Sequence, residues 1–333
     1  MHRYRHGLLF TLLTTLTVLL FVIDMMVGPV HIPLGDIWRA LVSRVPTSPT
    51  DKIIRLIRFN KAVVALCAGA SLSVSGLLMQ TLFRNPLAGP HILGINAGAS
   101  FGVALFLLGT PLSLSTSLLS SFGIAGSAWI GAAAVFLLIA AVSRRIKDIL
   151  AILIIGMMLS SGIGAVTQIL QYLSHEDALK SFVIWTMGSL GDVTAQQLNL
   201  LLPVTAFGLL MAAVLSKPLN MLLLGENYAR SMGLNLHHSR LLIFLSTTLL
   251  AGTVTAFCGP IGFIGLAVPH VVRAIFRTSD HRVAIPATVV SGAVVMLICD
   301  IISKSFVLPI NTVTAILGIP IVIWIVLRNK NIF

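Results

Sequence analysis

Ten apolar runs follow one another along this chain, at about 8–23, 60–82, 93–110, 120–142, 149–173, 196–216, 240–259, 261–276, 283–303 and 312–328. About 20 apolar residues in a helix match a hydrocarbon core about 30 Å thick. Lipid offers no water to backbone amides, so a spanning segment has to be a helix or part of a closed barrel. Barrel strands would alternate in polarity, and these runs do not. The expected fold class is therefore all-α, a polytopic membrane protein with about ten transmembrane helices. Ten such spans take about 200 residues of the 333. The loops left over exclude a soluble catalytic or nucleotide-binding domain within the chain, which reads as a single transmembrane domain over 1–333. Composition agrees: 57% of residues are hydrophobic and 10% charged, against about 25% charged in soluble domains.

The net charge of +12, from 22 Lys and Arg against 10 Asp and Glu, would suggest nucleic acid in a soluble protein. Here the charges fall between the apolar runs, so they report topology and no nucleic-acid partner is expected. The basic start before Leu8 resembles a signal peptide, but no small-residue cleavage site follows it and Asp24-Met25-Met26 is a poor context, so an uncleaved first helix is expected. An even number of spans puts both termini on one side, and Arg3, Arg5, Arg328 and Lys330 make that side cytoplasmic. The loops with Arg84, with Arg144, Arg145 and Lys147, with Lys217, Arg230 and Arg240, and with Arg277 and Arg282 then also lie inside. One outer segment breaks the bias: Arg39, Arg44, Lys52, Arg55, Arg58 and Lys61 precede the second run. An acidic partner fits this cluster, and so does a solvated face or an anchor on lipid phosphates.

Small residues recur at helix-packing spacing, in Gly94, Gly98 and Gly102, in Gly69, Ser73 and Gly76, and at Gly162 and Gly164 in the fifth run. They imply a tight bundle and no particular function. Asp24 and Asp300 fall near the ends of their spans, which favours helix-end or interfacial carboxylates over a proton relay. Cys67, Cys258 and Cys299 lie in apolar runs without metal spacing, His237, His238 and His281 fall in cation-rich loops, and His270 is expected at a helix end or facing a loop. Neither a metal cluster nor a nucleophile and base pair stands out. The chain is expected to be no enzyme and to hold no cofactor.

Two polar segments carry more information. Arg84-Asn85-Pro86-Leu87-Ala88-Gly89-Pro90 is a turn that stops one helix and delays the next. In the loop at about 217–240, Gly225 to Gly233 reads as a short helix bracketed by glycines, with Glu226 and Arg230 as an i,i+4 pair and with Ala229 and Met232 facing outward. Such a helix is a shape that docks into a groove on another protein.

These residues resemble the FecCD family, the permeases of binding-protein-dependent ABC importers for iron chelates, haem and cobalamin. Gly69 to Gly76, Gln80, Arg84 to Ala88, Pro90 and Leu93-Gly94 are similar to the family's most recognisable block. Leu224, Gly225, Ala229 and Gly233 match its coupling segment. Gly262 to Leu266, Val268 to His270 and Arg273 resemble a third block, Asp280 to Arg282 a short one, and Asp300 with Gly318 and Pro320 a fourth. The resemblance runs in one order from about 55 to 330.

The resemblance implies a type II ABC importer permease in the cytoplasmic membrane of a bacterium or archaeon, working by alternating access. A second copy would complete a homodimer around a central pathway. Two cytoplasmic ATPase subunits, which bind ATP and Mg, would dock on Leu224, Gly225, Glu226, Ala229, Arg230, Met232 and Gly233. A periplasmic or surface-tethered binding protein would deliver a metal chelate, with ferric siderophore ahead of haem and cobalamin. Its acidic lobes would meet Arg55, Arg58 and Lys61, with Lys304 adding a cation. Arg84, Asn85, Pro86 and Leu87 with Ser143 and Arg144 would form the inner gate, and Glu176 to Asp192, with Trp185 and Gly188, the outer one. Met157, Met158, Ser160, Ser161 and Gln168 of the fifth run, with Trp185, would line a soft, mildly polar pathway. Two departures stand out: Arg58-Phe59-Asn60-Lys61 replaces the family's Arg-x-Pro-Arg, and Val307 to Asn311 lacks the acidic residue and glycine that often flank Leu-Pro. The competing reading is a secondary transporter of a bulky apolar solute, which would need inverted repeats and midplane charges.

Overall fold

A computed structural model describes residues 2–28, 30, 32–42, 48–109, 120–146 and 148–328. Arg44, Lys147 and Lys330, used above for topology, lie outside them. Most of the described residues are helical, and there is no strand among them. The helices are α1 (His2–Met26), α2 (Leu34–Val42), α3 (Pro49–Leu82), α4 (Ile95–Gly109), α5 (Ser120–Arg145), α6 (Ile149–Leu173), α7 (Glu176–Thr186), α8 (Ala195–Val214), α9 (Ser216–Leu223), α10 (Glu226–Ser231), α11 (Leu236–Cys258), α12 (Ile264–Phe276), α13 (His281–Phe306) and α14 (Ile310–Arg328). Seven of them are long and apolar enough to cross a membrane, and α4, α12 and α14 are shorter apolar helices. Together these account for the ten expected runs.

Local chemistry moves the boundaries. α3 begins eleven residues before its apolar run because Ser48 and Asp51 form a reciprocal capping box with Pro49 at the first helical position. α12 begins late, because Gly259 to Phe263 is irregular and Phe263 sits at φ 64°, in the left-handed region. Asn235 caps α11 by accepting the amide of His238.

α3 is the axis of the bundle, buried along most of its length between α12 and α13. Glycines permit this approach: a Cβ on Gly76 would lie 1.8 Å from the carbonyl oxygen of Gly265, and one on Gly69 would lie 2.2 Å from that of Gly292. Without a hydrophobic drive in lipid, such backbone contact has to hold the helices. α4 and α5 pair in the same way, with Gly98 against Gly131 and Gly102 against Ser127. Replacing Gly76 by alanine is expected to push α3 off α12 and to lower stability by about 1–3 kcal/mol, read as a lower melting temperature in detergent. Gly94 serves differently from its neighbours in the ridge: at φ 77° it ends the short 3-10 turn Pro90–Leu93. A Cβ on Gly162 or Gly164 would meet no atom of another helix within 4 Å, so these two are not points of close helix approach within the chain, a correction to their expected packing role.

Candidate functional site

The bundle has two ends, a near end where α1 begins and a far end where it stops. At the near end α3 stops in a Schellman motif: the amide of Asn85 donates to Gln80 O and that of Arg84 to Thr81 O. The left-handed position in this motif usually falls to glycine, but here it is Arg84 at φ 48°. Asn85 then accepts the Leu87 amide through its side chain at 2.9 Å. The turn and the end of α3 before it are fastened to α12 by three contacts: His270 Nε2 donates to Pro86 O at 2.8 Å, Gln80 Nε2 donates to Leu266 O at 3.1 Å, and Arg273 donates to Gln80 Oε1. His270 thus sits mid-helix and not at a helix end, but it faces the turn, the other of its two expected placements. Substituting Arg84 by glycine is expected to leave stability unchanged or raise it by up to about 1 kcal/mol, because the left-handed strain disappears, and a thermal melt reads the sign.

The segment from Gly225 to Gly233 forms the expected short helix. Both bracketing glycines take positive φ, 106° and 84°, where a side chain would be strained. The Arg84 guanidinium lies 3.7 Å from where a Cβ on Gly225 would sit, so the two polar segments meet. Two details correct the sequence reading. Glu226 pairs with Arg240 at 2.5 Å, a residue whose side chain is nearly buried, in place of Arg230. Ala229 is fully buried and faces the bundle, while Leu224, Tyr228 and Met232 are 50–62% exposed and Arg230 is exposed. Ser143 is buried beside this end and Arg144 is exposed.

Sequence reasoning also missed the floor under this site. His281, expected in a loop, is 2% exposed; its Nδ1 donates to Asn220 Oδ1 at 2.8 Å, and its Nε2 lies 2.8 Å from Thr81 Oγ1. Asp280 caps α13 by accepting the Arg282 amide, and it accepts a second bond from Asn220 Nδ2 at 2.6 Å. These two bonds hold its carboxyl below the usual carboxylate range. Asp280→Ala should cost about 1 kcal/mol near neutrality. The folded pKa is depressed, so that contribution is present above the unfolded value of about 3.9 and fades as pH falls through the folded one. Melts at neutral and acid pH check the convergence of variant and parent.

At the far end the four expected docking cations are all engaged inside the chain. Arg58 is 6% exposed; it donates to Met25 O at 2.7 Å and Met26 O at 2.8 Å, and also to Val30 O, closing the C-terminus of α1. Arg55 donates to Ala40 O of α2. Lys61 lies 3.1 Å from Asp300, and Lys304 lies 2.8 Å from both Asp24 and Asp300. Both carboxylates are fully buried. Asp24 sits in the last turn of α1, a helix-end place as expected, but it and Asp300 are buried and not interfacial, paired inside a cluster that joins α1, α3 and α13, which is the state a carboxylate in an apolar setting requires.

Beside this cluster, a cavity of about 540 Å³ is lined by Trp185, Asp192, Ser189, Phe257 and Cys258 among others. The Gly188 turn over it is bound to its neighbours by backbone: Ser189 N donates to Cys258 O at 2.8 Å, and Asn311 N donates to Met187 O at 3.3 Å. On α6, Met157, Ser161 and Gln168 share one exposed stripe. Met158 is exposed at its edge, whereas Ser160 turns toward Gly94 and α4.

Comparison with known proteins gives a consistent answer. The chain is 36% identical over 284 residues to the hemin transport system permease protein HmuU of Yersinia pestis, covering 83% of each chain. It is 36% identical over 336 residues to the vitamin B12 import system permease protein BtuC of Klebsiella pneumoniae, covering 99% of this chain and 95% of that one. A solved transporter assigned to the metal-chelate ABC type, in an inward-facing conformation, superposes with a TM-score of 0.84 at 30% identity over 97% of this chain and 99% of that chain. PsaBC of Streptococcus pneumoniae, solved with a Fab, matches at a TM-score of 0.59 and 18% identity over 82% of this chain and 92% of that chain, which bears on the fold alone. The family model of FecCD transport proteins matches residues 16–328, so the chain belongs to the FecCD transport family.

Proposed function

We propose that this chain is the permease subunit of an ATP-driven importer that passes a bulky metal chelate through the membrane, ferric siderophore first and haem or cobalamin next. The observation that carries the reading is the family match over almost the whole chain, and relatives named for hemin and vitamin B12 support the cargo class. The near end is then cytoplasmic. A separate ATPase docks on Leu224, Tyr228, Arg230 and Met232, with Glu226 and Ala229 acting behind them through Arg240 and the bundle. Two copies of the chain enclose the pathway, with the exposed Met157, Ser161 and Gln168 stripe of α6 facing it and Met158 at its edge. The outer gate is the Glu176 to Asp192 segment with Trp185. The inner gate is the Arg84 to Leu87 turn with Ser143 and Arg144. Alternating access follows when closure of the ATPases moves α10, which meets Arg84 at Gly225.

Docking of the binding protein needs a revised assignment. Drawing Lys61 or Lys304 toward a partner would strand a buried carboxylate, at a cost of about 3–5 kcal/mol. We assign the contact to Arg39, whose side chain is 76% exposed, and to the exposed Lys52 of the same basic segment. The test is uptake of radiolabelled ferric siderophore, haem and cobalamin by host cells lacking this chain. Loss of ferric-siderophore uptake alone is expected; loss of either other cargo instead transfers the assignment to it, and unchanged uptake of all three contradicts the importer reading.

A further inference from the structure

A second surface at the far end belongs to neither the coupling site nor the ion cluster. On α2 the residues fall into three sectors at 100° per residue. Ile37 and Ala40 are buried, Asp36 and Arg39 form an i,i+3 pair at 3.5 Å, and Leu34, Trp38, Leu41 and Val42 make an apolar arc that is 43–71% exposed. Ile53, Leu56 and Ile57, at the start of α3, add 40–61% exposed apolar surface. A single exposed leucine needs no explanation, but a tryptophan with six aliphatic neighbours on adjoining helices does.

Depth identifies what covers it. Ile37 and Ala40 pack in one cluster with Met25 on the last turn of α1 and with Ile54 and Ala62 of α3, and Phe21 and Met26 close it. Arg55 ties the C-terminal part of α2 to α3 through Ala40 O. α2 is thereby fixed at the level where the first membrane span ends. α1 itself exposes Leu8, Leu12, Val18 and Leu19 and is little buried along its length, as a lipid-facing span requires, and the arc lies at the level where that span ends. At this level the bilayer passes from acyl chains to headgroups, the position in which tryptophan with one apolar and one polar edge is most stable. The charged sector, with Asp36 and Arg39, points away from the arc as an interfacial helix requires.

We propose that α2 is a membrane-interface anchor whose Leu34, Trp38, Leu41 and Val42 arc inserts among phospholipid glycerol and upper acyl groups of the leaflet at the far end. It holds α1 and the start of α3 at a fixed depth while leaving Arg39 in water. The assignment rests on the membrane-spanning fold alone and holds whatever the cargo.

The test uses the full chain in lipid nanodiscs made with phosphatidylcholine carrying bromine near the top of the acyl chain. The emission lost on Trp38→Phe isolates Trp38 from Trp129, Trp185 and Trp324. Most of that difference emission should be quenched by the brominated lipid and little of it by aqueous iodide. Quenching by iodide with none by bromolipid would put the arc in water and overturn the proposal. Protection from both, relieved on dilution of the protein, would mean that a second copy covers the arc and would equally overturn it. Should Trp38→Phe fail to fold, a spin label at Leu41→Cys in a Cys67→Ser background gives the same reading through oxygen against nickel-chelate accessibility.

Discussion

Replacing Lys304 with methionine lowers the stability of the folded chain by about 3–5 kcal/mol, the usual consequence of leaving a buried charge without its partner. The ammonium lies 2.8 Å from Asp24 and 2.8 Å from Asp300 and donates to Asp24 O at 3.1 Å, with 8% of its side chain exposed. Methionine fills much of the same volume, so lost packing contributes little and lost charge dominates. Asp300 keeps Lys61 at 3.1 Å, which makes Asp24 the carboxylate most affected. Adding Asp24→Asn to the methionine variant should therefore recover part of the loss, although either change alone destabilises, and a double-mutant cycle of melting temperatures in detergent measures that coupling. Additive effects, or a lysine variant as stable as the parent, would mean that the cluster is loosely solvated and that the cations are available to an outside partner after all.

The second large effect separates Ala229 of α10 from Met232 just beyond its end, both in the segment proposed to dock the ATPase. Met232→Glu should leave the amount of folded protein unchanged while cutting affinity for the ATPase about thirtyfold, since a central apolar contact contributes roughly 2 kcal/mol. Ala229→Arg, three residues away, should instead lower the amount of folded protein, because its Cβ is fully buried against the bundle and a guanidinium there is both too large and unsolvated. Membrane yield together with pull-down of the ATPase distinguishes the two; equal yields for both variants would contradict the orientation assigned to α10.

The parts of this architecture written in local chemistry were legible in sequence. Ten apolar runs correspond to the helices because length and polarity alone determine a span. Gly225 and Gly233 bracket a helix because only glycine takes those backbone angles without strain. Family motifs then pointed to transport. What stayed hidden depends on partners distant in sequence. Lys304 meets Asp24 across 280 residues, and nothing in the neighbourhood of Arg58 or Lys61 says that each is already engaged. Six residues of α10 carry too little periodicity to tell that Ala229 faces inward, and Glu226 finds Arg240 fourteen residues on in place of Arg230 four residues on. α2 escaped notice because nine residues in a charged stretch make no span. Ser48 and Asp51 were a readable capping signal for the early start of α3.

The central claim is that this chain works as a membrane partner of a separate ATPase. Native mass spectrometry of the tagged chain, extracted gently from its host's membranes, tests it most directly. The account predicts a particle of two copies of this chain with two ATPase subunits, lost with Met232→Glu while the permease pair remains. A chain that runs alone, or that carries a partner with no nucleotide-binding capacity, would contradict it.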